Sequence, residues 1–207
     1  MVFDFAWRRF PADEIHVYLD FASQVAGLAF MIFITLLTLV RLKPIESSQG
    51  WEPRVSALIG SFLTFLLPLL PQTEMSRSLQ IVSFALVLFG LSASVFVVLW
   101  LGRVFSVVPQ ARRLVVSGPY AVVRHPLYLT EEIAVVGLLM NYMSLEAFAI
   151  GAIQWAFQLR RMANEERVLR STFPEYADYA TRTPTLIPRQ LRQIFEIWPR
   201  KLERPAA

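Results

Sequence analysis

"LQIVSFALVLFGLSASVFVVLWL", residues 79–101, runs for 23 positions without one charged side chain. About twenty consecutive apolar residues, each rising ~1.5 Å in a helix, match the ~30 Å hydrocarbon core of a bilayer. Read as a spanning helix, this stretch frames everything on either side of it. Composition agrees. Of 207 residues, 55% are hydrophobic, and the mean hydropathy is +0.47, more apolar than a typical soluble domain. The chain has no cysteine, which excludes disulfides, thiolate catalysis and thiolate metal sites. Its only histidines are His16 and His125, so a multi-histidine metal site is not expected.

Four more apolar runs flank the central one, at 19–40, 55–70, 126–143 and 145–159. The second and the last two are short for a spanning helix. "NYMS" at 141–144 makes a tight connection, so the last two are expected to form a helical hairpin. The fold expected is an all-α integral membrane protein with about five transmembrane helices and a cytosolic C-terminal helical segment. Residues 1–101 hold the first three helices. The first apolar run is too long for the core of a cleavable signal peptide and is expected to remain.

Charge gives the orientation. Lys and Arg near 41–54, in 102–124 and after 159 number seventeen on one face, against Arg8, Arg9 and Arg77 on the other. The positive-inside rule then places the N-terminus outside and the C-terminus in the cytoplasm, with multiple crossings. The net charge of +4 sits beside apolar segments, which suits membrane lipids rather than nucleic acid. Phe3, Phe5, Trp7 and Phe10 suit an interfacial aromatic belt. Leu191, Ile194, Phe195 and Trp198 recur at i, i+3, i+4, i+7, so 189–207 is expected to be an amphipathic interfacial tail, its helix stopped by Pro199.

Polar chemistry concentrates in three places. "GPYAVVRHPLY", 118–128, opens on a turn at Gly118–Pro119 and ends with Pro126 as the first residue of the fourth helix. Arg124 and His125 therefore sit at a helix mouth, where backbone N–H groups favour a carboxylate or phosphate. They also suit a plain interfacial stop, with Tyr120 and Tyr128 in the aromatic belt, and both readings stand. Glu131 and Glu132 lie about 8–9 Å inside the same helix. Either they face a cavity or partner within the membrane, or the helix begins late and both touch water. In "LRRMANEERVLRSTFPEYADY", 159–179, Arg161 and Glu165 share a helical face, as do Glu166 and Arg170. That is either a solvated, salt-bridged helix or a site where Arg161 holds an anionic group and Glu165 accepts from hydroxyls. Phe173, Tyr176 and Tyr179 can pack this helix on the 118–128 loop.

Together "SGPY", "RHPLY", "NEERVL", "FPEYADY" and "TPTLIP", in that order across about residues 95–188, resemble the isoprenylcysteine carboxyl methyltransferase family and the related phospholipid N-methyltransferases. The resemblance implies that 102–188 is a cofactor-binding catalytic core that uses S-adenosyl-L-methionine. It implies cofactor contacts from Arg112, Arg113, Leu114, Val115, Tyr120, His125, Pro126, Leu127, Tyr128 and Glu165. Arg161 matches a substrate-side arginine. Glu131 and Glu132 are candidates to assist an amine acceptor in losing its proton. The sequence departs from the family pattern at Thr130 and Pro174, where glycine is usual, and at Arg112, where the carboxyl methyltransferases have histidine. The function expected is methyl transfer to a lipidic or amphiphilic acceptor, carboxylate or amine, at the cytosolic interface of a bacterial inner membrane. Two other readings are a lipid or sterol reductase with a nicotinamide cofactor and a non-enzymatic membrane protein such as a transporter. A transporter places polar groups at the midplane of several helices, whereas the first three apolar runs here are almost free of charge.

Overall fold

The computed structural model describes residues 15–188. The aromatic N-terminal stretch and the amphipathic tail lie outside the described residues. Helices joined by loops make up the described residues, with two two-residue strands. In chain order they form α1 (Ile15–Leu39), β1 (Glu46–Ser47), α2 (Glu52–Phe62) with a 3₁₀ continuation (Leu63–Leu69), α3 (Arg77–Leu101), a short 3₁₀ turn (Gly102–Val104) and β2 (Gln110–Ala111). Then come α4 (Pro119–Val122), α5 (Pro126–Met140), α6 (Leu145–Thr172) and α7 (Tyr176–Arg182). Among the described residues one helical stretch, Arg77–Val104, is long and apolar enough by itself to cross a membrane, and Val25–Leu39 is a shorter apolar helix.

The second apolar run departs from the expected single helix. Pro68 lacks an N–H and crowds the carbonyl four residues back, and the chain tightens to 3₁₀ from Leu63. With 11 α-helical and 7 3₁₀ residues, at ~1.5 and ~2.0 Å per residue, the composite still rises roughly 30 Å. The expected hairpin is present: α5 turns through Asn141–Met143 into α6, whose N-cap Ser144 accepts from the Ala147 amide at 3.1 Å. However, α6 runs uninterrupted for 28 residues, so one rod carries both the apolar run and the charged 159–172 segment.

Close approach of α3 and α5 forms the centre of the bundle. A Cβ at Gly90 would lie 2.5 Å from the Ala134 nitrogen, and one at Gly137 would lie 2.8 Å from the Ser83 carbonyl oxygen. Hydroxyls complete the seam. Ser83 donates to Gly137 O at 2.8 Å, and Ser94 shares a 2.8 Å hydrogen bond with Thr130. Small residues plus hydroxyl bonds are how helices associate where lipid removes the hydrophobic drive. Thr130, a departure from the family pattern, serves this seam. Phe30 and Ile34 of α1 pack on Val97 and Val98 of α3, and the same core takes in Phe105 and Leu127.

The two ends of the bundle differ. At one end the 71–75 loop meets the hairpin turn, with Thr73 N donating to Asn141 O at 2.9 Å and Met143 N to Thr73 Oγ1 at 2.8 Å. At the other end β1 pairs antiparallel with β2, Glu46 opposite Ala111. That ribbon, α4, the start of α5, the end of α6 and α7 make a polar cap. Between the ends the outer faces are apolar: Phe89 is 62% exposed, Leu28 62% and Phe148 73%. So wide an exposed apolar belt suits lipid rather than water.

Candidate functional site

A cleft opens in the polar cap. Its floor is Leu101, Phe105 and Leu127. One wall is the 106–115 segment, and the other is Arg161, Glu165 and Leu169 of α6 with Tyr176 and Tyr179 of α7. Tyr120, Arg124, His125 and Tyr128 also line it.

Local sequence explains the placement. Gly118 adopts φ +62°, and a Cβ there would lie 2.3 Å from the Trp100 ring, so glycine alone lets the chain turn against α3 into α4. Pro126 then begins α5 with His125 as N-cap. The returning segment after α7 closes the loop: Arg124 N donates to Pro184 O at 2.8 Å and His125 N to Thr185 O at 3.1 Å. Arg124 Nη2 adds 2.6 Å to Thr185 Oγ1. The two backbone bonds use the amides just ahead of α5; the first-turn amides of the helix mouth, at Leu127 and Tyr128, are separate from them. Tyr179 OH donates to Tyr120 O at 2.7 Å, which docks α7 on α4 as expected for that tyrosine.

Glu166 ties the loop to α6. Its carboxylate lies 3.1 Å from His125 Nε2, 3.4 Å from Arg124 Nε and 3.1 Å from Arg170 Nη2. Burial raises its pKa, but the hydrogen bonds from His125 and Arg170 and the nearby cations outweigh this and hold it down to about 2. Glu165, one residue earlier, points into the cleft and accepts from Tyr128 OH at 2.5 Å. The phenols stay neutral. Burial, then the Glu165 charge, pushes Tyr120 far up, and burial lifts Tyr179 to about 12. Burial and then the Glu166 charge raise Tyr176, whose hydroxyl is buried without a partner.

Below the cleft, α6 carries a polar stripe. Arg161 is 2% exposed; its Nε donates to Val107 O at 3.2 Å and its Nη1 to Ser61 Oγ at 3.0 Å. Its guanidinium carbon lies 4.8 Å above the Tyr128 ring. The ion partner of Arg161 is Glu131 at 3.9 Å, from α5, rather than Glu165 on its own helix. Gln158 Nε2 donates to Glu131 at 2.9 Å, and Gln154 Nε2 donates to Glu132 at 2.8 Å. Both glutamates are therefore held by α6 side chains, which replaces the reading in which they merely touch water.

Of the residues singled out in the sequence, Arg113, Leu114, Val115, Tyr120, His125, Leu127, Tyr128, Arg161 and Glu165 gather on the cleft. Four do not line it. Arg112 turns away, donating to Leu42 O and Gln110 Oε1, each at 2.6 Å. Pro126 is buried in the α5 start, and Glu131 and Glu132 lie beneath with the stripe. Sequence reasoning passed over Gln154, Gln158 and Ser61. The signal available was the spacing of Gln154, Gln158, Arg161 and Glu165, which puts four polar residues on one helical face. Among the described residues no three His, Asp or Glu side chains converge as a metal site.

An apolar-belted helical bundle with a polar cleft at one end defines a membrane-associated protein. Comparison with known proteins adds the family. Residues 82–171 match the sequence model of the isoprenylcysteine carboxyl methyltransferase (ICMT) family. The chain is 43% identical over 77 residues to the cobalt-zinc-cadmium resistance protein CzcN of Cupriavidus metallidurans, covering 37% of this chain and 36% of that protein. It is 38% identical over 81 residues to the nickel-cobalt-cadmium resistance protein NccN of Alcaligenes xylosoxydans xylosoxydans, covering 39% and 38%. It is 36% identical over 96 residues to protein-S-isoprenylcysteine O-methyltransferase B of Arabidopsis thaliana, covering 42% and 48%. The chain thus spans between about a third and a half of the length of the curated relatives it matches.

Proposed function

We propose that this protein transfers a methyl group from S-adenosyl-L-methionine to a lipidic or amphiphilic acceptor at the cytosolic face of a membrane that it crosses several times. The observation that carries the reading is the cleft itself. The ordered motifs that resemble the family converge on one polar opening at the end of an apolar-belted bundle. The residues suit the cofactor. Glu165 offers a carboxylate to hydroxyl or ammonium groups, and Arg113 offers a cation to a carboxylate. Leu114, Leu127 and Leu169 offer apolar surface, and the buried Tyr176 hydroxyl still has a proton to give.

When bound, the cofactor supplies an electrophilic methyl on a sulfonium. The protein's part is then alignment of the acceptor and exclusion of water. Tyr128 and Arg161 connect the two halves of the site, since Tyr128 bonds to cleft-lining Glu165 while Arg161 reaches down to Glu131. The seventeen-to-three asymmetry of basic residues supports a cytosolic cleft, on the side where a charged, water-soluble cofactor would be met. Calorimetric titration of S-adenosyl-L-methionine into purified protein, with cleft variants in parallel, tests the reading.

A further inference from the structure

We propose that the β1–β2 ribbon seats the phosphate of an anionic phospholipid in the leaflet beside the polar cap. The ribbon stands where the apolar belt ends. Helix α1 stops at Leu39, still 76% exposed, and the chain turns at once into the ribbon. Ile45, 65% exposed, and Trp51, 75% exposed, flank β1. An open tryptophan at such a boundary suits the headgroup level of a bilayer.

Charge selects the occupant. Segments 40–48 and 102–113 carry Arg41, Lys43, Arg103, Arg112 and Arg113 against one carboxylate, Glu46. Hydrogen bonds hold the two segments side by side. Leu42 N donates to Arg103 O at 2.8 Å, Ile45 N to Ala111 O at 2.7 Å, and Arg103 Nε to Val40 O at 2.8 Å. Arg41, Lys43 and Arg103 are exposed. Among the described residues none of the five cations has an acid within ion-pair distance. Cations gathered this way repel one another unless an anion sits among them. A headgroup of net negative charge answers that need better than a zwitterion, which brings its own cation.

Arg112 supplies an independent observation. It is 5% exposed. Its Nε and Nη2 donate to Leu42 O and Gln110 Oε1, but its Nη1 is buried with no acceptor. Burial, and then the charge of Arg41, lowers its pKa, so two guanidiniums lie close together with no carboxylate of the protein to counter them. A buried cation without an opposite charge is costly. A phosphate held by exposed Arg41 and Lys43 brings that charge to the ribbon, and the planar fork of Arg41 can take it through two oxygens. The headgroup site and the cleft share one backbone segment, because β2 runs directly into the Arg113–Val115 wall.

The test ejects the full chain from mixed phosphatidylcholine–phosphatidylglycerol nanodiscs in a native mass spectrometer and counts the lipids retained. Wild type is expected to keep phosphatidylglycerol over phosphatidylcholine by about fivefold or more, the factor that one basic residue near an anionic leaflet contributes. The preference should fall as ammonium acetate is raised. Arg41→Gln combined with Lys43→Gln, at two exposed positions outside the cleft, should abolish it. Arg77→Gln combined with Arg182→Gln removes the same charge elsewhere and should leave it intact. No preference in wild type, a preference indifferent to salt, or one reduced equally by both pairs overturns the inference. So does a melting midpoint raised by inorganic phosphate without any lipid preference, which would reassign the ribbon to a soluble anion. The readout needs no S-adenosyl-L-methionine, so its outcome is separate from that of the methyl-transfer reading.

Discussion

Glu166→Gln isolates the clamp that holds the 124–125 loop against α6. The carboxylate receives His125 and Arg170, each at 3.1 Å, with Arg124 Nε at 3.4 Å, and its side chain is only 15% exposed, so solvent screens it little. Holding this carboxyl at about 2, against an ordinary 4.5, corresponds to roughly 3 kcal/mol at about 1.4 kcal/mol per tenfold. Glutamine keeps an acceptor but loses the charge, so the variant should forfeit on the order of 2 kcal/mol. For a chain of this length that is a fall in Tm of about 4–8 °C. The sign follows from a folded pKa below the unfolded one: the contribution is complete above pH 4.5 and is lost as pH falls through about 2. Thermal melts of detergent-solubilised wild type and Glu166→Gln should differ most at pH 7, and the gap should narrow below pH 4.5. Equal midpoints at pH 7, or a gap that stays constant down to pH 2.5, would refute the clamp.

Gly137→Leu should prevent α3 and α5 from seating. Its Cβ alone meets Ser83 O at 2.8 Å and Leu86 Cβ at 2.9 Å, and overpacking of this kind costs about 1–3 kcal/mol or more; a melting midpoint equal to wild type would deny the seam. For topology, single cysteines placed in this cysteine-free chain should react with a membrane-impermeant maleimide from outside at Met143 and only after permeabilisation at Arg182. The opposite pattern would invert the orientation.

The apolar runs were legible because lipid solvation writes itself into composition: α1, α3, α5 and the first half of α6 fall on predominantly apolar stretches. The break at Leu63 was not, since Pro68 permits either a kink or a change to 3₁₀ and only packing decides. The cleft was legible from the order of its motifs, yet partner choice was not. Glu166, read as one member of a surface i, i+4 pair, keeps Arg170 and also takes Arg124 and His125 from a loop some forty residues away. Arg161 prefers Glu131 to the Glu165 on its own helical face because the hairpin brings α5 beside α6. Gln154 and Gln158 gave no signal as single residues. Their meaning appears only when Glu131 and Glu132, costly inside an apolar segment, are found to need donors.

Titration of S-adenosyl-L-methionine into the purified protein, with His125→Ala and Glu165→Ala beside it, tests the central claim most directly. Glu165 faces the cleft, and His125 lines it while anchoring the loop through Glu166. The account predicts saturable binding to wild type. Each variant should weaken it by about 1–3 kcal/mol, roughly 5- to 150-fold, the loss of a charge-assisted hydrogen bond or of the loop that positions it. No heat of binding to a folded wild-type protein, or an affinity identical in wild type and both variants, would contradict it.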